Sequence, residues 1–330
     1  MKLKYWLMTI VLSALLGSTI TWGIQKVIQN NSTEGGDFSI YEFNRRSGFK
    51  FIKPLQFIES KIEYPDFLNL KQQLEETIDS LESAGVLGSA SVYLRDFEQA
   101  GWIHVNPKNQ FHPGSLMKIG TLYDVLLQAE RDTSLLHKKL IFQPGKEKIP
   151  TQSFGTKSIK PNTEYSIYEL LNYMIAHSDN NATSVLHSVV NYANYLQIFN
   201  ELNIPRPNAS SAQYTLKASE ISNFFKVLYN STLLSPEMSE KAFEILIRCD
   251  FKKGMSAGLP SSVTLAHKFG EYGYPNSDHE LHEMGIMYLK DKPYLLTIMT
   301  KGKDVKNLGP TIALLTKKTS QYLLKSVSKK

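Results

Sequence analysis

Residues 111–118 read Phe-His-Pro-Gly-Ser-Leu-Met-Lys and contain the pair of side chains around which the rest of the sequence is interpreted. Ser115 and Lys118 stand three residues apart where a helix is predicted to begin, so their side chains share one face. A serine hydroxyl becomes a good nucleophile when a base takes its proton, and a lysine whose pKa has fallen on burial can be that base. The free N–H groups at a helix start can also stabilise an oxyanion. The same spacing recurs at Ser47–Lys50 and Ser326–Lys329, where solvated surface pairs are expected.

The size and composition of the chain exclude several classes of protein. With 330 residues and 42% hydrophobic content, the chain can bury a core in one large domain or in two intimate subdomains. Its formal charge of +6 is spread along the sequence, without a basic block interleaved with aromatic residues, which argues against a nucleic-acid surface. The single cysteine, Cys249, excludes an internal disulfide and a cysteine metal cluster, and a buried structural thiol is expected there.

The N-terminal segment predicts a membrane anchor. Tyr5 to Ile24 is an apolar run of 20 residues without a charge, which is long enough to span a bilayer. A cleaved signal peptide is the alternative, since Lys2 and Lys4 form a basic start, but no small-residue cleavage site follows the run. We therefore expect an uncleaved signal anchor over residues 1–28, a single pass through the cytoplasmic membrane with the remaining chain outside. A linker and extended segment follows at 29–65, in which residues 49–52 and 55–58 are expected to lie against a domain.

The remaining sequence, residues 66–328, predicts an α+β fold. Its helix and strand patterns come in the order helix, strands, helices, strands, helix, so an antiparallel sheet flanked by helices is interrupted by an all-helical lobe at about 111–250. The strands after Val263 are expected to pair with those before Val105 in one sheet. Strands are predicted at 89–97, 101–105, 263–270, 281–289 and 294–300, and helices at 67–84, 119–129, 165–176, 181–203, 218–229, 236–248 and 310–324.

Three separated motifs follow one another along this pattern. They are Ser115-Leu116-Met117-Lys118 at a helix start, Ser178-Asp179-Asn180 in the helical lobe, and Lys268-Phe269-Gly270 on a late strand. Each motif alone is common, but the ordered set resembles the one that class A β-lactamases and penicillin-binding proteins carry. The chain is therefore similar to the class A β-lactamase-like serine hydrolases over about residues 66–324.

The resemblance implies a role for each motif residue. Ser115 would be the nucleophile and Lys118 its base, and Ser178 would pass a proton to the leaving nitrogen. Asn180 would hold Lys118 and the substrate's side-chain amide, and Lys268 would bind the substrate carboxylate. The main-chain N–H groups of Ser115 and Glu271 would form the oxyanion hole. The last two residues of the third motif, Phe269 and Gly270, would complete the edge of the strand that binds the substrate.

Simpler interpretations exist for parts of this set. Ser178-Asp179-Asn180 fits a helix cap, because all three are preferred capping residues, and Lys268 fits an ordinary lysine on an edge strand. A metal site is suggested by His279 and His282, which flank a glutamate. Residues three apart on a strand point to opposite faces, so no metal is expected there.

Two departures from the family bear on the substrate and its fate. Phe269 stands where the family carries a hydroxyl that binds the substrate carboxylate. The natural substrate of this protein can therefore be a different acyl compound. Residues 202–216, which correspond to the family's Ω loop, include no acid that could hold a deacylating water. The remaining candidate bases are Lys118 and two acids on or near the late strands, Glu271 and Glu283.

Three functions are consistent with the sequence. The first is a membrane-anchored hydrolase that cleaves an amide (β-lactam) bond through a Ser115 acyl-enzyme. The second is a penicillin-binding-type peptidase or transpeptidase acting on cell-wall peptide. The third is a catalytically silent module that binds such a peptide. A pure binder has no need of a nucleophile and base, so the intact motif set favours an enzyme, and no cofactor, metal or nucleic-acid partner is expected.

Overall fold

The computed structural model describes residues 40–144, 153–207, 214–273 and 278–327. The predicted anchor over residues 1–28 and the first part of the linker lie outside these ranges. Among the described helices, none combines the length and the apolar character that crossing a membrane requires. The chain divides into two units, residues 1–41 and 42–330, and the predicted catalytic residues all belong to the second.

A five-stranded antiparallel sheet forms the centre of the second unit, with its strands in the order β4-β3-β9-β8-β7. Ser89 pairs with Lys301 across β3 and β9, so the expected union of early and late strands in one antiparallel sheet is confirmed. β7 lies at one edge of the sheet, and β1–β2 and β5–β6 form two small separate pairs. The strands are β1 (Tyr41–Arg45), β2 (Leu55–Ser60), β3 (Ser89–Asp96), β4 (Trp102–Val105), β5 (Lys139–Ile141), β6 (Glu164–Ser166), β7 (Thr264–Tyr272), β8 (His279–Leu289) and β9 (Lys292–Gly302).

Helices cover the sheet and form two hydrophobic cores. One core joins one face of the sheet to the first and last helices, because Leu70, Leu74 and Ile78 recur every four residues and form an apolar stripe. The other core lies within the helical lobe and against the opposite face of the sheet. The helices are α1 (Leu68–Ser83), α2 (Lys118–Arg131), α3 (Ile167–Ala176), α4 (Asn180–Leu186), α5 (Tyr192–Glu201), α6 (Ala218–Ile221), α7 (Asn223–Tyr229), α8 (Pro236–Leu246), α9 (Met255–Gly258) and α10 (Val305–Val327).

Several helix boundaries differ from the sequence pattern. The helix predicted at 181–203 is two helices, α4 and α5, because the side chain of Asn191 accepts hydrogen bonds from the main-chain N–H groups of Ala193 and Asn194 and starts a new helix. The helix predicted at 218–229 is likewise interrupted at Ser222, between α6 and α7. Ser115 lies in a 3₁₀ turn, Gly114–Met117, that leads into α2. Short 3₁₀ turns of this kind are common at helix starts.

The segment 49–52 does not pack as expected. Phe49, Phe51 and Ile52 are 44%, 86% and 58% exposed, whereas Phe57 on β2 is buried. The physical reason is that residues 46–54 form the tip of the β1–β2 hairpin, closed by a hydrogen bond from the Arg46 N–H to the Pro54 carbonyl, and extend beyond the strands that contact the lobe.

Candidate active site

Two glycines bring the turn that carries Ser115 against the edge strand β7. Gly114 has a φ of +52°, and a Cβ atom there would lie 2.5 Å from the carbonyl oxygen of Glu271. A Cβ atom on Gly270 would lie 2.7 Å from the carbonyl oxygen of Pro113. At Gly114 only glycine tolerates both the left-handed backbone and the close approach, and at Gly270 the close approach alone excludes a side chain. The main chain at Ser115 therefore lies beside the main chain at Glu271, as an oxyanion hole built from their N–H groups would require.

The Lys118 amine is buried and surrounded by acceptors from the Ser178 motif. Its Nζ atom donates to the Ser178 carbonyl oxygen at 2.5 Å and to Asn180 Oδ1 at 2.8 Å, and lies 3.3 Å from Ser178 Oγ. Burial, and secondly the charge of Lys268, lower the pKa of Lys118 to about 6, while Asp179 opposes the shift. At neutral pH this amine is therefore largely unprotonated and can accept a proton.

Ser178 has a backbone that serines rarely adopt. Its φ is +55°, and it follows the last turn of α3, where the N–H groups of His177 and Asp179 both donate to the Tyr173 carbonyl. Helices commonly end in such a left-handed residue, but glycine or asparagine usually occupies it. A serine there costs about 1–2 kcal/mol. Such strain is retained where the side chain is needed, and here the side chain is the hydroxyl beside Lys118.

Asp179 explains why the motif also fits a helix cap. Its Oδ1 atom accepts hydrogen bonds from the Asn181 N–H and from Ser158 Oγ, and its Oδ2 atom accepts one from the Ile159 N–H. Asp179 is therefore the N-cap of α4 and also fastens the segment around Ser158. The cap interpretation and the site interpretation hold together, since Asp179 caps the helix while Ser178 and Asn180 contact Lys118.

Lys268 lies fully buried on β7 and close enough to influence Lys118. Its Nζ atom donates to the carbonyl oxygen of Phe269 at 2.8 Å and lies 4.2 Å from the centre of the Phe269 ring. Burial lowers the pKa of Lys268 to about 8, although Cys249, Glu283 and Asp250 raise it in part. An exposed edge lysine is thus the wrong interpretation. The residue is a buried cation beside the candidate site.

The Phe269 side chain does not line the substrate edge. It is buried in the core beneath α1 and α10 and stacks on Phe251, with 4.6 Å between ring centres. Strand residues alternate between faces, so Ala266 packs toward the helical lobe and Phe269 toward the opposite core. The expectation that Phe269 helps to complete the substrate edge is therefore wrong for its side chain.

The two acids proposed as bases are engaged elsewhere. Glu283 is buried, 2.5 Å from His267 Nδ1, and accepts a hydrogen bond from the Met255 N–H. Burial by itself would lower the pKa of His267, but Cys249 and Glu283 raise it to about 10, so His267 and Glu283 form a buried ion pair. The Glu271 carboxylate accepts from the Ser153 N–H at 3.0 Å. Cys249, which is buried, is the structural thiol that the sequence predicts.

A polar cluster that the sequence analysis did not identify supports the segment before Ser115. His112 stacks on Tyr272 of β7 with 4.1 Å between ring centres. The His112 N–H donates to Glu280 Oε2 at 2.7 Å, and His282 Nε2 lies 2.9 Å from the His112 carbonyl oxygen. Glu280 and His282, which belong to the stretch considered above as a possible metal site, hold this segment. Glu280 and His282 share one face of β8, and Glu283 lies on the other. This alternation was the signal for the cluster that the sequence offered.

A second unpredicted cluster lies behind Ser178. His177 Nδ1 is 2.8 Å from Asp250 Oδ2, and Thr156 donates to the same carboxylate. The N–H of Asp250 donates to the Ala176 carbonyl at the end of α3. These residues come from three distant parts of the sequence, so no local spacing could have indicated them.

Comparisons with known proteins identify the family and the fold of the chain. The family model described as Beta-lactamase2, the beta-lactamase enzyme family, matches residues 70–323. The chain therefore belongs to the β-lactamase enzyme family, with the α+β fold of the β-lactamase-like serine hydrolases. A search of curated proteins gave no match.

Solved structures show the same fold at low sequence identity. PBP-A is 20% identical, with a TM-score of 0.65, over 78% of this chain and 96% of its own. A β-lactamase from Chitinophaga pinensis is 18% identical, with a TM-score of 0.66, over 78% and 99% of the two chains. A class A β-lactamase from Bacteroides cellulosilyticus is 18% identical, with a TM-score of 0.65, over 77% and 98%.

Proposed function

We propose that the protein is a serine hydrolase that opens a β-lactam amide through an ester on Ser115. The observation that carries the proposal is the buried Lys118 amine, with its lowered pKa, held against Ser178 and Asn180 three residues after the serine. An unprotonated amine at neutral pH is what activation of a serine hydroxyl requires. A solvated structural lysine would keep its charge.

The proposed acylation uses each motif residue once. Lys118 takes the Ser115 proton as Oγ forms a bond to the substrate carbonyl carbon, and the oxyanion is stabilised by the N–H groups at Ser115 and Glu271. The carbon–nitrogen bond then breaks, and the proton reaches the leaving nitrogen through Ser178. Lys268 supplies positive charge for the substrate carboxylate. Water must later attack the ester to free Ser115.

The acyl-enzyme is proposed to be long-lived. A deacylating water needs a general base, and residues 202–216 offer no acid in their sequence. Glu283 is committed to His267, and Glu271 to the Ser153 N–H. A PBP-A mutant, a structural neighbour, is known as an acyl-enzyme complex with penicillin G, which makes penicillin the natural probe for this chain.

A second candidate is a peptidase or transpeptidase acting on cell-wall peptide. The same missing acid favours it, because transfer of the acyl group to an amine needs no dedicated water-binding glutamate. It uses the same Ser115 ester, so the two candidates differ in the acceptor and the natural substrate. Release of the terminal residue from a cell-wall peptide, faster than opening of penicillin, would favour the second candidate.

We further propose that the enzyme acts outside the cytoplasmic membrane, held there by residues 1–28. The support is the uncharged run from Tyr5 to Ile24 with lysines before it. N-terminal sequencing of the mature protein tests the anchor. A mature chain that begins after Gln25 would contradict it.

The experiment that tests the acyl-enzyme is labelling with a fluorescent penicillin. Wild-type protein should carry the label after denaturation, and Ser115→Ala should carry none. Ser47→Ala is a matched control, because Ser47 stands three residues before Lys50 but is exposed. Label that survives in Ser115→Ala, or that is lost in Ser47→Ala, would contradict the assignment.

A further inference from the structure

The hairpin formed by β1 and β2 carries an unusual surface. Residues 43–58 contain four basic residues and four phenylalanines but no acidic residue, so the expectation that no basic block is interleaved with aromatic residues is wrong for this segment. Phe51, Ile52 and Phe49 are exposed at its tip, and Phe43 and Leu55 are exposed beside them. Large apolar side chains that stay in water at one place indicate a surface with a partner.

The hairpin has two chemically distinct sides. Its inner side, which includes Glu42, Asn44 and Glu59, lines a cavity of about 600 Å³ against the helical lobe. Glu59 is paired there with Lys226 at 2.8 Å and with Arg95 at 3.0 Å. Residues 43 and 45 alternate with 42 and 44 along β1, so Phe43 and Arg45 lie on the outer side. The acids that flank the segment therefore belong to the inner side, and the outer side is basic and aromatic.

The hairpin is also fixed in place. Arg46 is paired with Glu201 at the end of α5. Asn230 donates to the Gln56 carbonyl, and Arg95 donates to the Ile58 carbonyl. These contacts orient the outer side without using its exposed residues, so the surface is formed before any partner arrives.

Basic side chains lie next to aromatic rings on the outer side of the hairpin. The Arg45 guanidinium lies 5.8 Å from the Phe43 ring centre, and Lys50 Nζ lies 5.0 Å from the Phe51 ring centre. Lys53 is exposed next to Ile52. At a bilayer surface, aromatic and aliphatic side chains enter the boundary of the headgroups while lysine and arginine meet the phosphates. Both halves of that chemistry are present.

We propose that the outer side of the hairpin, residues 43–55, binds the surface of an anionic lipid bilayer. Charge complementarity favours anionic lipid, and it disfavours a second copy of the chain, because two like-charged surfaces repel. The chain that carries this surface also carries the apolar run Tyr5–Ile24, fewer than twenty residues upstream of Phe43. The proposal is independent of the chemistry proposed for Ser115.

The test uses the chain from Ile40 onward, which contains both hydrophobic cores and the sheet but lacks the apolar run. Co-sedimentation should show binding to vesicles that contain phosphatidylglycerol and little binding to pure phosphatidylcholine. Lys50→Glu with Lys53→Glu should weaken binding by about tenfold or more, since each basic residue near an anionic surface contributes about fivefold. Phe51→Ser with Ile52→Ser should also weaken it, because the rings and aliphatic groups enter the boundary.

Matched controls change exposed residues elsewhere in the same way. Lys108→Glu with Lys160→Glu reverses two exposed lysines, and Tyr192→Ser removes an exposed ring on α5. Both should bind vesicles as the parent does. Three results would overturn the proposal: no binding to anionic vesicles, an equal loss in the controls, or a charge-dependent interaction that ignores Phe51 and Ile52. The last would indicate adsorption by charge alone, without entry of the apolar tip into the bilayer.

Discussion

The Nζ atom of Lys118 lies 2.5 Å from the carbonyl oxygen of Ser178, the residue that ends α3 in a left-handed conformation. The same serine places its hydroxyl 3.3 Å from that nitrogen. One strained residue thus offers two oxygens to one buried amine. The candidate base and the candidate proton carrier are therefore fixed relative to each other by the main chain.

The first prediction concerns the strain at Ser178. Ser178→Gly and Ser178→Ala both remove the hydroxyl, and each should slow penicillin labelling by about 10²–10⁴-fold if proton transfer passes through it. Glycine also relieves the left-handed strain, so Ser178→Gly should be more stable than Ser178→Ala by about 1 kcal/mol. Urea unfolding compares the two variants. Equal stability would show that the backbone is not strained, and unimpaired labelling would remove the serine from the mechanism.

The second prediction is the pH dependence of acylation. Below pH 6 the Lys118 amine carries a proton and cannot take one from Ser115, so the labelling rate should rise with pH through about 6. Above pH 8 Lys268 loses the charge that attracts the substrate carboxylate, so the rate should fall again. Initial labelling rates from pH 5 to 9 give the profile.

A variant separates the two limbs of that profile. The charge of Lys268 helps to lower the pKa of Lys118, so Lys268→Gln should move the acid limb to higher pH and remove the alkaline limb. A profile that stays flat between pH 5 and 7 in the wild type would contradict the assignment of Lys118 as the base.

The third prediction isolates the close approach at Gly114. Gly114→Ala introduces a left-handed alanine and a clash with the Glu271 carbonyl, so the turn should move away from β7 and labelling should slow by about tenfold or more. Gly85→Ala is the control, because Gly85 has a φ of +68° but open space around its Cβ position. It should lose about 1 kcal/mol of stability and label normally. Equal labelling by both variants would show that the approach to Glu271 has no catalytic value.

The fourth prediction concerns Phe269. A threonine at this position should not improve penicillin acylation, since the ring is buried against Phe251 rather than aimed at substrate. Phe269→Thr should instead destabilise the fold by about 3–5 kcal/mol, as core phenylalanine truncations do. Thermal unfolding measures the loss, and Phe269→Leu should lose less. A stable Phe269→Thr protein that labels faster would restore the substrate-edge interpretation.

Much of the fold follows from local patterns in the sequence. The apolar stripe of α1 and the long buried strands β8 and β9 could be recognised because burial on a helix or strand imposes a period. The break between α4 and α5 could not, because it depends on the Asn191 side chain competing for main-chain N–H groups within an otherwise helical pattern. The exposure of the hairpin tip could not be predicted either, because apolar composition does not reveal whether a segment packs against its own domain.

The candidate site likewise has residues that the sequence predicts and residues that it does not. Ser115, Lys118, Ser178 and Asn180 received their roles from the resemblance that the order of the motifs indicates, and the structure brings the Lys118 amine to the last two. Phe269 was assigned to the substrate edge from its position in the family motif alone. Because strand residues alternate between faces, its side chain lies on the opposite face of the sheet from Ala266 and the helical lobe. The pair of His177 and Asp250 joins residues 73 apart, and such a contact depends on the completed fold.

The decisive measurement for the Ser115 acyl-enzyme is the intact mass of the wild-type protein, followed over time after mixing with excess benzylpenicillin. We expect that the whole population gains the mass of one penicillin, that the adduct maps to Ser115, and that it persists long after free penicillin is removed. Unmodified protein beside unreacted penicillin, or an adduct on any other residue, would contradict the Ser115 acyl-enzyme. Rapid, complete hydrolysis of the penicillin with no adduct accumulating would contradict the slow deacylation inferred from residues 202–216.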